Sequence, residues 1–183
     1  MAIGSDLERK KLKKGALILG GAASGKSEWA ENLAESLSSS ITYLATGQAF
    51  DEETKKRVKI HQSRRDTRWK TVEEPLDPGR VLTELSASDV VLIDCATMWL
   101  TNLMMADRNV DEAPETLCQG LASCKARWII VSNEVGQGIV PQNALARSFR
   151  NAQGRLNIAL AKQADTVVQV IAGLPQVLKG QLP

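Results

Sequence analysis

Apolar residues in this chain gather into short continuous runs rather than alternating ones: Ala16–Leu19, Ile41–Thr46, Val90–Cys95, Trp128–Ser132 and Val167–Ile171. Trp69–Val72 is a further short strand candidate, ended by Glu73, Glu74 and Pro75. Between them lie segments of helical period. Trp29, Leu33 and Leu37 form one stripe, Met98–Met105 is strongly apolar, and a helix is predicted between Pro114 and Cys124. A weaker helix spans Gly79–Leu85, and a long one runs from Pro141 or just after to Gln163, with Gly154 as a candidate break. Asp51 reads as an N-cap, with Glu52 and Glu53 in the first turn of a helix reaching Arg65. Gly173-Leu174-Pro175 closes the last strand. Continuous apolar strands alternating with helices predict an α/β fold, a mainly parallel sheet with helices on both faces.

Composition narrows this picture. With 183 residues, 43% of them hydrophobic, the chain can build a real core, and no internal repeat or domain boundary divides it. Residues 1–14 are polar and basic and read as a solvated extension before a single domain over residues 15–183. They do not form a signal peptide, and no stretch approaches membrane-spanning length. The formal net charge of +2 leaves bases matched by acids along most of the chain, which argues against nucleic acid as an obligatory partner. Three cysteines, Cys95, Cys118 and Cys124, without metal-ligand spacing suggest reduced, buried thiols in a cytoplasmic protein.

The chemistry centres on the first strand and helix. Gly20-Gly21-Ala22-Ala23-Ser24-Gly25-Lys26-Ser27 matches G-x-x-x-x-G-K-[ST], preceded by a strand and followed by a helix, as a phosphate-binding P-loop requires. Successive backbone N–H groups of such a loop curl around a phosphate, and the helix N-terminus faces the same anion. Lys26 supplies a cation for the β- and γ-phosphates, and the Ser27 hydroxyl can ligate Mg²⁺. A chance Gly/Ser-rich surface turn is the competing explanation, weakened by the flanking strand and helix.

Two further candidates follow. Asp94 ends an apolar strand, where P-loop proteins place an acid in the Mg²⁺ shell; a cap for the helix that follows is the competing explanation, weakened by the P-loop in the same chain. His61 is the single histidine, and Arg57, His61 and Arg65 at i, i+4 and i+8 share one helix face. Such a cationic strip suits charge developing on a transferring phosphoryl or nucleotidyl group, and a neutral imidazole nitrogen can attack an α-phosphorus. A solvated basic face, with Asp51, Glu52 and Glu53 as local partners, is the alternative. Glu73 and Glu74 could contact a nucleoside or a second metal, or be solvated charges. Asn133-Glu134 and Gly136-Gln137-Gly138 lie after a strand, where ligands bind in open parallel sheets. A loop holding bulky substrate or a strained connecting turn would both fit there. Arg147, Arg150 and Arg155 could face a phosphate, a neighbouring subunit or solvent.

From Ala16 to Lys179 the chain resembles the bifunctional adenosylcobinamide kinase/adenosylcobinamide-phosphate guanylyltransferases of cobalamin biosynthesis. The segments that carry the resemblance are GGAASGKS at 20–27, YLAT at 43–46, RVKIHQSRR at 57–65, WKTVEEP at 69–75, LIDCATMWLTNLM at 92–104, VSNEVGQGIVP at 131–141, LARSFRNAQGRLNIALAKQAD at 145–165 and AGLPQVLK at 172–179. The resemblance implies a RecA-like P-loop core and two reactions. ATP or GTP would phosphorylate adenosylcobinamide. GTP would then guanylylate a histidine, here His61, releasing pyrophosphate, and GMP would pass to adenosylcobinamide phosphate. Gly20 to Ser27 carry over as the phosphate cradle, and a small homo-oligomer, a trimer among the options, is implied.

The chain departs from the family pattern at Ala23, where Arg is common, at Asn151, where Asp is usual, and at Ile158, where Gln is usual. None of these removes a P-loop residue or His61, but they bear on the kinase step and on substrate contacts. A P-loop kinase or ATPase for another small molecule would need Lys26 but not His61. A RecA-like nucleic-acid module is disfavoured by the low net charge and single tyrosine.

Overall fold

The computed structural model describes residues 12–47 and 65–182. The predicted helix ending at Arg65, with Arg57 and His61, lies outside the described residues except for Arg65 itself.

In chain order the elements are β1 (Gly15–Gly20), α1 (Lys26–Leu37), β2 (Ile41–Ala45), β3 (Trp69–Glu73), α2 (Pro78–Glu84), β4 (Val90–Asp94), α3 (Ala96–Met105), α4 (Ala113–Ser123), β5 (Arg127–Asn133), α5 (Ala144–Gln163), β6 (Thr166–Ile171) and β7 (Leu174–Lys179). The strands form one sheet in the order β3-β2-β4-β5-β1-β6-β7. All pairs are parallel except the β6–β7 hairpin. The predicted mainly parallel sheet is therefore observed.

Alternate strand residues enter opposite cores, which is why the strands read as unbroken apolar runs. On one face Leu17, Val91, Ile93, Trp128 and Ile130 pack with Trp99, Leu100, Leu117, Leu121, Leu156 and Leu160 from α3, α4 and α5. On the other, Ile18, Val90, Leu92, Ile129 and Val131 pack with Ala30, Leu33 and Ala34 of α1.

The structure refines the sequence reading at four points. The packed body begins before Gly15: Leu12 is buried in the α1-side core, and Lys14 Nζ donates to the carbonyls of Cys124, Lys125 and Ala126. Gly173-Leu174-Pro175 does not end the sheet. Ala172 and Gly173, both at positive φ, turn the chain into β7, an edge strand that tolerates Pro175. The helix expected from Pro141 or just after starts at Ala144, where Asn143 Oδ1 accepts from the Leu145 and Ala146 N–H groups, and it passes the candidate break at Gly154 without interruption. Asp94 does not cap α3; Cys95 does, its Sγ accepting from Met98 N.

Candidate active site

The C-terminal ends of the parallel strands converge on one edge of the sheet, where open α/β sheets bind ligands. β1 delivers Gly20 into the loop Gly21–Gly25, and Lys26 and Ser27 open α1. Gly25 sits at φ 90°, a left-handed conformation that glycine adopts without strain, and Ala23 is also left-handed at φ 53°. Lys26 Nζ donates to the Gly21 carbonyl at 3.0 Å, so the cation folds back over the loop crest. Ser24 Oγ is buried with no partner. The loop leans on the β6–β7 hairpin: Gly173 N donates to Ser24 O at 2.8 Å, and a Cβ on Gly25 would lie 3.1 Å from Gly173 Cα.

Above this loop is a cavity of about 370 Å³, walled by Gly21, Ala22, Ala23 and Ser24, by Gln169–Ala172 of the hairpin, and by Glu134 and Gln137 from the loop after β5. Sequence reasoning saw Glu134 only as part of a connecting or substrate-holding loop; the structure brings it face to face with the P-loop.

Asp94 ends β4, which is separated from β1 by β5. In the sheet register Asp94 lies level with Val131 of β5, Ala45 of β2 and, across β2, Glu73 of β3. Glu73 is therefore two strands from Asp94, roughly 10 Å at the usual strand spacing, and it is exposed. Tyr43 Oη donates to Asp94 Oδ2 at 3.1 Å. Burial, together with the Asp94 charge, pushes the Tyr43 phenol well above its ordinary pKa, so the hydroxyl stays a donor. Next to Asp94, burial pushes the Cys95 thiol up to about 12; the Asp94 charge adds to this and the Lys26 ammonium opposes it. The Asp94–Cys95 peptide is cis, and the Thr46 hydroxyl brackets Cys95, accepting from its N–H at 2.8 Å and donating to its carbonyl at 2.7 Å.

Other residues singled out in the sequence have structural employment. Arg65 Nη2 donates to Glu31 Oε1 at 2.8 Å, a buried pair, and its guanidinium lies over the Tyr43 ring. Glu74 Oε1 accepts from the backbone of Leu76 and Asp77, and its Oε2 pairs with Arg80. Arg147 donates to the carbonyls of Pro141 and Gln142, Arg150 to those of Gly138 and Ile139, and Arg155 pairs with Asp111. The three cysteines are free thiols.

The hard oxygen donors Ser27 Oγ and Asp94 suit Mg²⁺, which takes few protein ligands and completes its shell with water and phosphate. Among the described residues no group of three His, Cys, Asp or Glu side chains could hold a metal by itself.

Residues 16–178 match the family model described as cobinamide kinase/cobinamide phosphate guanyltransferase. The chain belongs to this family. It is 43% identical over 168 residues to the bifunctional adenosylcobalamin biosynthesis protein CobP of Pseudomonas aeruginosa, covering 90% of this chain and 97% of that one. It is 37% identical over 175 residues to the bifunctional adenosylcobalamin biosynthesis protein CobU of Salmonella typhimurium, covering 86% and 96%. Among solved structures, an ATPase from the type III secretion system of pathogenic bacteria matches with a TM-score of 0.57 at 8% identity, over 91% of this chain and 57% of that one, a likeness of fold alone. No helix among the described residues is long and apolar enough to cross a membrane.

Proposed function

We propose that this CobU-family enzyme phosphorylates the hydroxyl of adenosylcobinamide with ATP or GTP. It then transfers GMP from GTP through a covalent guanylyl-histidine at His61 to adenosylcobinamide phosphate. The observation that carries this reading is the P-loop cavity at the same sheet edge as Asp94 and Glu73, in a chain of this family.

In the first step the loop amides of Gly20–Ser27 and the Lys26 ammonium hold the triphosphate, and the γ-phosphoryl passes to the substrate hydroxyl. Mg²⁺, when bound, would be held by Ser27 and Asp94 and would neutralise charge on the β- and γ-phosphates. In the second step a neutral His61 nitrogen attacks the α-phosphorus of GTP and pyrophosphate leaves. A phosphate oxygen of adenosylcobinamide phosphate then takes the guanylyl group, releasing His61 and adenosylcobinamide-GDP. Arg57 is read as a cation for that transfer. Glu73, exposed at the end of β3, is read as a contact for the nucleoside. Arg65 belongs to the same site, four residues after His61, although its guanidinium is engaged by Glu31. A homo-oligomer, a trimer among the options, is part of the reading, as are the single domain and the basic segment before it.

The test is labelling with α-phosphate-labelled GTP and Mg²⁺, wild type beside His61→Ala. Acid-labile, alkali-stable label on the wild type alone supports the guanylyl-histidine. No label on either protein, with adenosylcobinamide still phosphorylated, leaves a single-function kinase. Equal label on both moves the nucleophile elsewhere.

A further inference from the structure

The strand end that carries Glu134 is held more firmly than a connecting loop requires. Asn133 N donates to Thr97 Oγ1 of α3 at 2.8 Å, and Asn157 Nδ2 of α5 donates to the Asn133 carbonyl at 3.1 Å. Glu134 N donates to the carbonyl of Gly20, where the P-loop begins, at 3.1 Å. Beneath them, Ser132 Oγ donates to Asn157 Oδ1 at 2.6 Å, and Gln153 Nε2 donates both to Ser132 Oγ and to Asn157 Oδ1. Ser132, Gln153 and Asn157 are all buried. Three elements thus fix two consecutive peptide units, and the buried hydrogen bonds beneath them support that strand end, although Gln153 Oε1 and Asn133 Oδ1 are buried without a partner.

What that arrangement places is a carboxylate. Glu134 lines the cavity opposite Gly21–Ser24. Its Oε1 accepts from Gly136 N at 2.6 Å, which restrains the carboxylate within its own loop at the wall of that cavity. A Cβ on Gly136 would lie 2.8 Å from that oxygen, so the absence of a side chain there is what admits the carboxylate. A carboxylate at the mouth of an anion-binding loop repels the phosphates that bind there, so its position is not explained by phosphate binding itself.

We propose that Glu134 is the general base of the phosphoryl-transfer step. This deepens the reading above and rests on it. As the γ-phosphoryl leaves the β-phosphate oxygen, the hydroxyl oxygen of adenosylcobinamide forms the new P–O bond and its proton passes to the Glu134 carboxylate. The nucleoside diphosphate departs with the electron pair of the broken bond, and Glu134 returns the proton to water. The guanylylation of His61 uses an imidazole nucleophile and makes no demand on Glu134, so the two half-reactions separate the role.

The experiment measures phosphate transfer from γ-labelled ATP or GTP to adenosylcobinamide, and guanylyl label on the protein, for wild type, Glu134→Gln and Gly136→Ala. Glu134→Gln is expected to lose about 10²- to 10⁴-fold in kcat for phosphate transfer, while the guanylyl label stays within about threefold of wild type. In Gly136→Ala the methyl displaces only the far end of a side chain, so folding is little disturbed. The moved carboxylate should still cost phosphate transfer about 10- to 100-fold. Phosphate transfer by Glu134→Gln within threefold of wild type overturns the assignment. An equal fall in both half-reactions also overturns it, because a shared phosphate-binding role would do that. Absence of phosphate transfer by the wild type overturns the functional reading and this assignment with it.

Discussion

The guanidinium carbon of Arg65 lies 3.2 Å from the centre of the Tyr43 ring, and the hydroxyl of that ring donates to Asp94. The same guanidinium pairs with Glu31 on α1, the helix that begins at the P-loop lysine, and Trp69 closes the stack edge-on to Tyr43. Arg65 therefore joins α1, β2 and the end of β4 at the point where the chain leaves the segment carrying His61. The pair is desolvated, its side chains 6% and 10% exposed, so removing Arg65 takes a close countercharge from a buried carboxylate and a cation from the Tyr43 ring.

Arg65→Ala loses a charge-assisted hydrogen bond and a cation–π contact and should destabilise the fold by about 2 kcal/mol, read as a lowered urea midpoint. Arg65→Lys should recover only part of this, because a point charge cannot both pair with Glu31 and stack on the ring. The double variant Arg65→Ala/Glu31→Ala should be less destabilised than the sum of its singles. Strict additivity would mean that the pair contributes nothing as a pair.

Tyr43→Phe keeps the ring and its stacking but removes the donor to Asp94. Outer-shell partners of a ligating carboxylate typically matter 10- to 100-fold. The expected outcome is a rise of about tenfold or more in the Mg²⁺ concentration giving half-maximal phosphate transfer, with the thermal midpoint nearly unchanged. An unchanged Mg²⁺ dependence would detach Tyr43, and with it the YLAT stretch, from the Mg²⁺-holding role proposed for Asp94.

The P-loop, the five long apolar strands and the acid at the end of β4 were legible because each is a local pattern: a motif in its strand–helix setting, or a run buried on both faces. The hairpin strand β7 was not. Its residues are all exposed and include Pro175, so it lacks the burial signal of a strand, and its turn is Ala-Gly rather than the usual Asn-Gly. The support of Glu134 was hidden for a different reason. Gln153 and Asn157 are polar by composition and look solvated, yet at i and i+4 they share the buried face of α5 with Leu156 and Leu160. Polar residues on an apolar stripe were the available signal. For Arg147 and Arg150 the sequence leaves a phosphate, a neighbouring subunit or solvent open; the carbonyls of the 138–142 loop engage them, a use that spacing along one helix cannot reveal.

Gly173 is at φ 79° and its N–H holds the Ser24 carbonyl, so the β6–β7 hairpin acts as a backstop for the P-loop. Gly173→Ala strains a left-handed position by about 1–2 kcal/mol. It should weaken nucleotide binding more than an equally destabilising change in α4, a helix remote from the loop. The comparison is made by equilibrium nucleotide titration of both variants. Equal effects would reduce Gly173 to a turn residue.

Glu74 offers a test in pH. Its carboxyl is held below the ordinary value of 4.5, first by the hydrogen bond from Arg80 and then by the Asp77 N–H, with burial acting in the opposite direction. A depressed folded-state pKa means that the unfolded chain binds the proton more readily. The stabilisation is therefore fully present above the unfolded value and disappears as pH falls through the folded one. The carboxylate organises the 74–77 turn, whose Pro75 and Leu76 carbonyls accept from Asn102 and from the Trp99 indole, so this stability is felt at α3. Arg80 is largely exposed, which limits the contribution to about 1 kcal/mol. Glu74→Gln should lower the unfolding free energy by that amount at pH 7 and by progressively less below pH 4.5, as urea titrations across that range will read. A gap that stays constant down to pH 3 would assign the effect to side-chain shape instead of charge.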